Sequence, residues 1–374
     1  MNKITLIVTS TFGLEALVKR EVQDLGFSNI TVSDGKIEFP GTANDIPRLN
    51  INLRTADRVL IKLGEFAAID FGQLFDGTKI LPWEDWMPIE GKITVIGKSV
   101  KSKLESVRSC QSIVKKAIVD RLKEKLQTQL LPETGSEFTI QVAMLKDVAQ
   151  LTIDTSGFGL HRRGYRTGTG EAPLRENLAA ALVLLSFWKK DKLLIDPMCG
   201  SGTILIEAAM IARNIAPGLK REFAAELWPS INQKVWDDAR AAAQAAIRPS
   251  GDLKIFGYDI DETRIKDCLV NAKKAGVAAD IVFERKDIKD LLIDQPMGNV
   301  ISNPPYGVNI GSPGELAPLY ITINNIFGNK KGWALYMLTA DKRFPDFFKR
   351  SHPPKVRKLF NGTIEVNYYQ YYAE

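Results

Sequence analysis

The chain has little of what many enzyme classes depend on. Among its 374 residues there are two histidines and three cysteines, and no unbroken apolar run approaches the roughly 18 residues that a membrane helix needs. His161 and His352 are too few for a His-rich metal site or for most triad chemistry. Cys110, Cys199 and Cys268 are odd in number and far apart, which excludes a disulfide framework or a zinc knuckle, and no metal is expected. The apolar stretch Ile4 to Val8 is too short for a secretory core. These absences predict a soluble, cytoplasmic protein without a membrane partner.

What is present is ordinary globular material, 45% hydrophobic and 25% charged, which excludes a disordered or fibrous chain. At roughly 100 to 200 residues per domain, the length suggests two or three domains. The net charge of +6 is unevenly spread. Residues 1–100 carry 11 Lys and Arg against 13 Asp and Glu, whereas residues 101–166 carry 12 against 7. Such a surplus fits polyanion binding, although charge runs are often only solvated faces. A second basic cluster, from Lys342 to Lys358, interleaves with Phe344, Phe347 and Phe348.

The first part of the chain mixes strands and helices. Ile4 to Thr9 reads as a strand, Gly13 to Leu25 as a helix, and two short strands flank the turn Asp34-Gly35. Arg58 to Phe66 and Lys92 to Lys98 are β-type. From Glu105 to Leu126, Val107, Cys110, Val114, Ala117 and Ile118 recur at helical spacing, with Lys115, Lys116, Arg121 and Lys123 largely off that face. Phe138 to Leu145 and Val148 to Thr155 form a hairpin. A Gly-rich basic stretch, 157–170, marks a domain boundary.

From Glu171 onward, helix and strand alternate. Short buried strands are expected at Leu193 to Asp196, Lys254 to Asp259, Ala279 to Phe283, Gly298 to Ser302 and Trp333 to Leu338. The pattern argues for a parallel sheet with helices on both faces. Asn361-Gly362 then joins Lys355 to Phe360 with Thr363 to Tyr372 as an antiparallel edge hairpin. The stretch from about Ala212 to Arg248 looks like a helical insert between the first two strands.

Two motifs carry chemistry. The first, Asp196-Pro197-Met198-Cys199-Gly200-Ser201-Gly202-Thr203, runs from a buried strand through a glycine turn into a helix, which makes a backbone cradle at the carboxyl edge of a sheet. A dinucleotide fingerprint needs a third glycine where Leu205 stands, and a P-loop needs a lysine that is missing. A methionine-derived sulfonium cofactor remains. Asp196 can hold its ammonium, Gly200 and Gly202 admit close backbone approach, Asp259 can accept both ribose hydroxyls, and Asp287 can accept from the adenine amino group. Any one of these aspartates could merely cap a turn, but three follow successive strands in register.

The second motif is Asn303-Pro304-Pro305-Tyr306, directly after the fourth strand. The diproline fixes the backbone and leaves carbonyl oxygens free to accept. The Asn303 side-chain oxygen and the Pro304 carbonyl can take the two protons of an exocyclic amino group, while Tyr306 can stack on a base. An isolated Pro-Pro is more often a rigid turn; the position after strand four reverses that balance.

Together these residues resemble the Rossmann-like class I methyltransferases that act on exocyclic amino groups, with S-adenosylmethionine as cofactor and S-adenosylhomocysteine as product. Ala172-Pro173-Leu174-Arg175-Glu176-Asn177 resembles the motif preceding the first strand in the branch fused to a THUMP RNA-binding domain, and by that analogy Pro173 and Glu176 line the cofactor pocket. Gly97 to Leu104 with Gln111 and Val114 to Ile118 resembles the THUMP module itself, and residues 1–60 its ferredoxin-like companion. The resemblance implies a ferredoxin-like region at 1–60, a THUMP domain at 61–166 and a methyltransferase domain at 167–374. It also implies a mostly parallel seven-stranded α/β sheet ending in an antiparallel hairpin. Within this branch the chain is similar to bacterial 23S rRNA guanine-N2 methyltransferases, often labelled N6-adenine-specific DNA methylases. RNA, 23S rRNA or a ribosomal precursor, is the implied partner. Lys101, Lys103, Arg162, Arg163 and Arg166 are expected to contact it, and Pro197, Cys199, Ser201 and Asn303 to join the cofactor site. Adenine N6 methylation by the same fold, and a catalytically silent RNA-binding module, stay open.

Overall fold

The run Leu6-Ile7-Val8 is essentially without exposure because both faces of its strand are covered, which puts Ile4–Ser10 (β1) in the interior of a sheet. The computed structural model describes residues 3–166, 174–305 and 313–374. The chain divides into two compact units. One comprises the residues up to Ser10, Val18–Leu160 and Arg221–Ala242; the other comprises Thr11–Leu17, His161–Lys220 and Ala243–Glu374.

After β1 come Glu15–Asp24 (α1), Thr31–Ser33 (β2), Lys36–Gly41 (β3), Asp45–Asn52 (α2), Ala56–Ala67 (β4), Phe71–Lys79 (α3), Lys92–Val100 (β5), Val107–Lys125 (α4), Glu137–Leu145 (β6) and Val148–Asp154 (β7). The seven strands make one sheet in the order β2-β3-β1-β4-β7-β6-β5. Only β5 and β6 pair in parallel, as α4 crosses between them. Gly35, at φ +71°, supplies the left-handed residue of the β2–β3 turn. In α4 the side chains of Cys110, Val114, Ala117, Ile118 and Leu122 are buried, the face that the spacing predicts. Two of its cations are ion-paired: Arg121 forks onto Glu84 at 3.0 and 2.6 Å, and Lys115 reaches Glu133 at 3.0 Å.

The second unit takes up the chain with Glu176–Leu185 (α5), Leu194–Asp196 (β8) and Thr203–Ala212 (α6). The chain then returns to the first unit for Arg221–Ala242, which includes most of Gln233–Ala245 (α7). In its packing this insert therefore belongs to the first unit, although in sequence it lies between the first two strands of the second sheet. The cause is aromatic. Trp228 stacks on Phe138 of β6 with ring centroids 4.6 Å apart, and its indole donates to the Glu137 carbonyl at 3.2 Å. Trp236, fully buried, stacks on Phe223 at 5.4 Å.

Back in the second unit follow Ile255–Asp259 (β9), Glu262–Ala275 (α8), Val282–Arg285 (β10), Gly298–Ser302 (β11), Pro313–Phe327 (α9), Trp333–Thr339 (β12), Phe344–Phe347 (α10), Lys355–Asn361 (β13) and Ile364–Tyr371 (β14). The sheet order is β10-β9-β8-β11-β12-β14-β13, parallel through β12 and antiparallel beyond it. Chain order reverses between β8 and β11, and such a switch point opens a crevice beyond the carboxyl ends of the strands. β10 starts later than expected, because Ala278–Asp280 closes as a 3-10 turn. The aromatic residues of the C-terminal basic cluster are core: Phe344 and Phe348 stack at 5.8 Å within a buried group that includes Tyr320 and Trp333. Arg350 donates there to the carbonyls of Trp333 and Phe327 at 2.7 and 3.0 Å, which is a structural clamp. No helix among the described residues is long and apolar enough to cross a membrane.

Candidate cofactor and substrate site

The first motif forms a tight turn between β8 and α6. Gly200 and Gly202 have φ of +53° and +78°, values that favour glycine. A Cβ on Gly202 would stand 3.1 Å from both Cys268 Sγ and the Phe283 ring, whereas a Cβ on Gly200 would meet none of the described residues within 4 Å. The turn is thus packed on one side and open on the other. Its backbone is tied down from β9 and α8. Gly202 N donates to the Cys199 carbonyl, Cys199 N to the Tyr258 carbonyl, and Gly200 N to Asp259 Oδ2 at 2.9 Å. Cys268 Sγ and Asn271 Nδ2, one helical turn apart on α8, donate to the carbonyls of Gly200 and Ser201, each at 3.1 Å. Sequence reasoning missed both supports; their 3-residue spacing on a buried face was the available signal.

Cys199 and Cys268 face each other at 3.8 Å, and Cys110 lies apart in α4. The hydrogen bond that the Cys199 thiol donates to Cys268, together with burial, pushes that thiol well above its ordinary range, so it packs as a small neutral side chain.

The carboxylates stand where the strands end. Asp196 closes β8 and is 2% exposed; its Oδ1 accepts from Ser302 Oγ at 2.6 Å and from Met198 N at 3.2 Å. Burial pushes its carboxyl up to about 7, with a further upward push from Asp259, against the lowering effect of those donors. Asp259 closes β9, half-buried, with Oδ1 taking Asp261 N at 3.0 Å. Asp287, after β10, accepts from Lys289 N at 3.0 Å as a turn cap. Each carboxylate keeps lone pairs for a further donor. Pro197 is buried and Ser201 half-buried. Glu176 begins α5 at 4% exposure; burial raises its carboxyl, and Arg166 opposes the rise.

Asn303, Pro304 and Pro305 follow β11 directly, one strand from Asp196. Asn303 Oδ1 is buried and has no hydrogen-bond partner among the described residues. Such a group is costly to leave unmade and marks a place for an incoming donor. Tyr306 and Pro173 lie outside the described residues.

The expected RNA contacts separate. Lys101 and Lys103 are exposed in the loop after β5, and Lys103 N donates to Asp147 Oδ1 at 2.6 Å, lacing that loop to the β6–β7 turn. Exposed Lys98 and Lys146 share this tip, and the sequence reading overlooked them. Arg162 is exposed in the second unit. Arg163 and Arg166 need correction as outward-facing contacts. Arg163 is 3% exposed and lies 3.5 Å from the buried Glu207, to which Tyr165 also donates. Arg166 turns inward to the Leu174 carbonyl and to Thr203 Oγ1.

The unpartnered Asn303 oxygen, the open side of Gly200 and the acceptor set of Asp196, Asp259 and Asp287 fit a cationic amino-acid nucleoside. A parallel sheet with its chain reversal beside a glycine turn, an antiparallel end and Asn-Pro-Pro after the fourth strand defines a class I S-adenosylmethionine-dependent methyltransferase. Family comparison agrees. The RMKL-like methyltransferase domain matches residues 163–370, the RlmL ferredoxin-like domain 5–60 and the THUMP domain 68–154. The chain belongs to the RMKL-like methyltransferase family.

It is 44% identical to YpsC of Bacillus subtilis (strain 168), over 100% of this chain and 97% of that protein. It is 34% identical to the ribosomal RNA large subunit methyltransferase K/L of Psychromonas ingrahamii, over 97% of this chain but about half, 49%, of that protein's length. Among solved structures, SMU.472, described as a methyltransferase complexed with SAH, superposes with a TM-score of 0.94 at 39% identity, covering 100% of this chain and 99% of the other.

Proposed function

We propose that the protein methylates the exocyclic N2 amino group of a guanine in 23S rRNA. The observation that carries this reading is the buried, unpartnered Asn303 Oδ1 at the end of β11, beside the glycine turn. S-adenosylmethionine supplies an electrophilic methyl group. The residues of the chain do the rest by placement. Asp196, Asp259 and Asp287 anchor the two ends of the cofactor, Pro173 and Glu176 line its pocket, and Cys199 to Gly202 shape its cradle. Asn303 and the Pro304 carbonyl accept the two amino protons, which points the nitrogen lone pair along the transfer line, while Pro305 holds the loop and Tyr306 stacks on the flipped base. No strong base is required, since nitrogen releases its proton readily once alkylated.

RNA as substrate is supported by the THUMP match, by the name of an RNA methyltransferase that YpsC carries, and by the K/L name of the ribosomal relative. Nucleoside mass spectrometry of rRNA from cells with and without the protein tests the proposal. Loss of N2-methylguanosine from 23S rRNA supports it; loss of N6-methyladenosine instead moves the reaction to adenine, and unchanged nucleosides with intact RNA binding favour a silent binding module.

A further inference from the structure

One cation of the second unit, Arg166, turns inward to bond within the fold. Arg166 is 16% exposed in its side chain, and its Nη2 donates to the Leu174 carbonyl at 2.6 Å and to Thr203 Oγ1 at 2.8 Å. Thr203 is the first residue of α6, directly after the left-handed Gly202, and its Oγ1 lies 3.1 Å from Ser201 Oγ. On its other side, Arg166 Nε stands 3.7 Å from Glu176 Oε1, at the first residue of α5, and has no hydrogen-bond partner of its own. A single guanidinium therefore joins the start of α5 to the end of the glycine turn. Its planar fork suits the task, because it can address two acceptors in fixed directions, which a lysine ammonium on a flexible stem cannot.

We propose that Arg166 is a positioning residue of the cofactor site. Through Thr203 it fixes the last step of the glycine turn, and through Glu176 it holds a buried carboxylate in the pocket wall with its countercharge beside it. The ligand class is the amino-acid nucleoside itself, S-adenosylmethionine or S-adenosylhomocysteine. The inference rests on the reading of Cys199 to Gly202 as the cofactor cradle. Without Arg166, Glu176 would stay buried with Arg163 as its remaining countercharge among the described residues, and Thr203 would lose the donor that sets its rotamer, so the turn would sample geometries that bind poorly.

Titration calorimetry of the full chain with S-adenosylhomocysteine tests it, with thermal unfolding as a check on the fold. Arg166→Ala is expected to raise the dissociation constant about tenfold or more, and the S-adenosylmethionine KM in proportion, while kcat at saturating cofactor falls less than about threefold. Arg166→Lys should recover part of the loss, and it replaces the alanine variant should that one fail to fold. Thr203→Val added to Arg166→Ala should cost much less than it does alone, since both act through one contact. Wild-type affinity in a folded Arg166→Ala or Arg166→Lys protein overturns the proposal. So does a loss confined to RNA affinity, which returns Arg166 to the RNA face, or full additivity with Thr203→Val. Gly202→Ala separates this inference from its premise: wild-type cofactor affinity there dismisses the cradle, whereas weakened affinity there beside an unaffected Arg166→Ala dismisses only the role of Arg166.

Discussion

Ser302 Oγ donates to Asp196 Oδ1 at 2.6 Å, joining the last residue of β11 to the last residue of β8. The residue after one is Asn303 and the residues after the other lead into the glycine turn, so one short hydrogen bond sets the spacing between the Asn-Pro-Pro motif and the glycine turn. It also bears on charge. Asp196 sits at about 7 with this donor in place, and the donor is among the influences holding it down.

Cofactor affinity should therefore depend on pH through Asp196. Below about 7 the buried carboxyl holds its proton and cannot pair with an ammonium, so affinity should fall by up to about tenfold per pH unit as pH drops. In the cofactor-free protein the sign reverses. A carboxyl raised above its usual value contributes stability at low pH that is lost as pH rises through about 7, and bound cofactor should offset that loss. Ser302→Ala should shift the midpoint upward. Calorimetry from about pH 5.5 to about pH 8.5 on both proteins measures this, and a flat profile removes Asp196 from the ammonium site.

Gly202→Ala should destabilise the turn by about 1 to 3 kcal/mol, because φ of +78° disfavours a Cβ and the added carbon would meet Cys268 and Phe283 at 3.1 Å. Chemical denaturation, together with S-adenosylhomocysteine titration, should show both stability and affinity reduced. Gly200→Ala meets no such neighbour, so its penalty should come from the backbone alone.

If Asn303 accepts from the substrate amino group as proposed, Asn303→Ala should leave folding and cofactor affinity near wild type and lower turnover by roughly 100-fold or more, since such a contact counts mainly in the transition state. Methylation of rRNA at the wild-type rate by the folded variant would reduce Asn-Pro-Pro to a rigid turn.

Much of this site was legible in the sequence because it is contiguous. Asp196 to Thr203 and Asn303 to Pro305 each follow a buried strand, and strand ends are what apolar runs mark most clearly. What escaped was long-range. Ser302 to Asp196, Cys268 and Asn271 to the turn, and Arg166 to Thr203 join residues far apart in the chain, and their side chains look unremarkable one by one. Arg163 and Arg166 read as RNA contacts because charge is visible in sequence and burial is not. In the first unit α3 was passed over although Asp70 and Gln73 cap it reciprocally, with Gln73 N donating to Asp70 and Ile69 N to Gln73. The eight residues of α2 hid behind Pro47.

For RNA, the tip formed by the β5–α4 loop and the β6–β7 turn gives a focused test. Neutralising Lys101, Lys103 and Lys146 should weaken binding and flatten its salt dependence by about 0.7 to 0.9 in log-log slope for each phosphate left without its lysine. Cofactor affinity should not move. An unchanged slope would locate the RNA face elsewhere.

Trp228→Ala should cost about 3 to 5 kcal/mol, since it removes a fully buried ring stacked on Phe138 and leaves the surrounding side chains around a void. Denaturant titration should show the loss as an earlier unfolding transition.

The same stacking orders events during synthesis. Phe138 leaves the ribosome about 90 residues before Trp228, and in that interval β8 and α6 of the other unit are made. The sheet that begins with β1 can pair its strands early, yet its aromatic core closes only when the nascent chain has grown to Trp236 and beyond. A nascent chain that has emerged from the ribosome past Asp154 but not yet as far as Trp228 would thus display all seven strands of the first sheet with Phe138 still uncovered by Trp228, an exposed apolar surface of the kind that folding chaperones recognise.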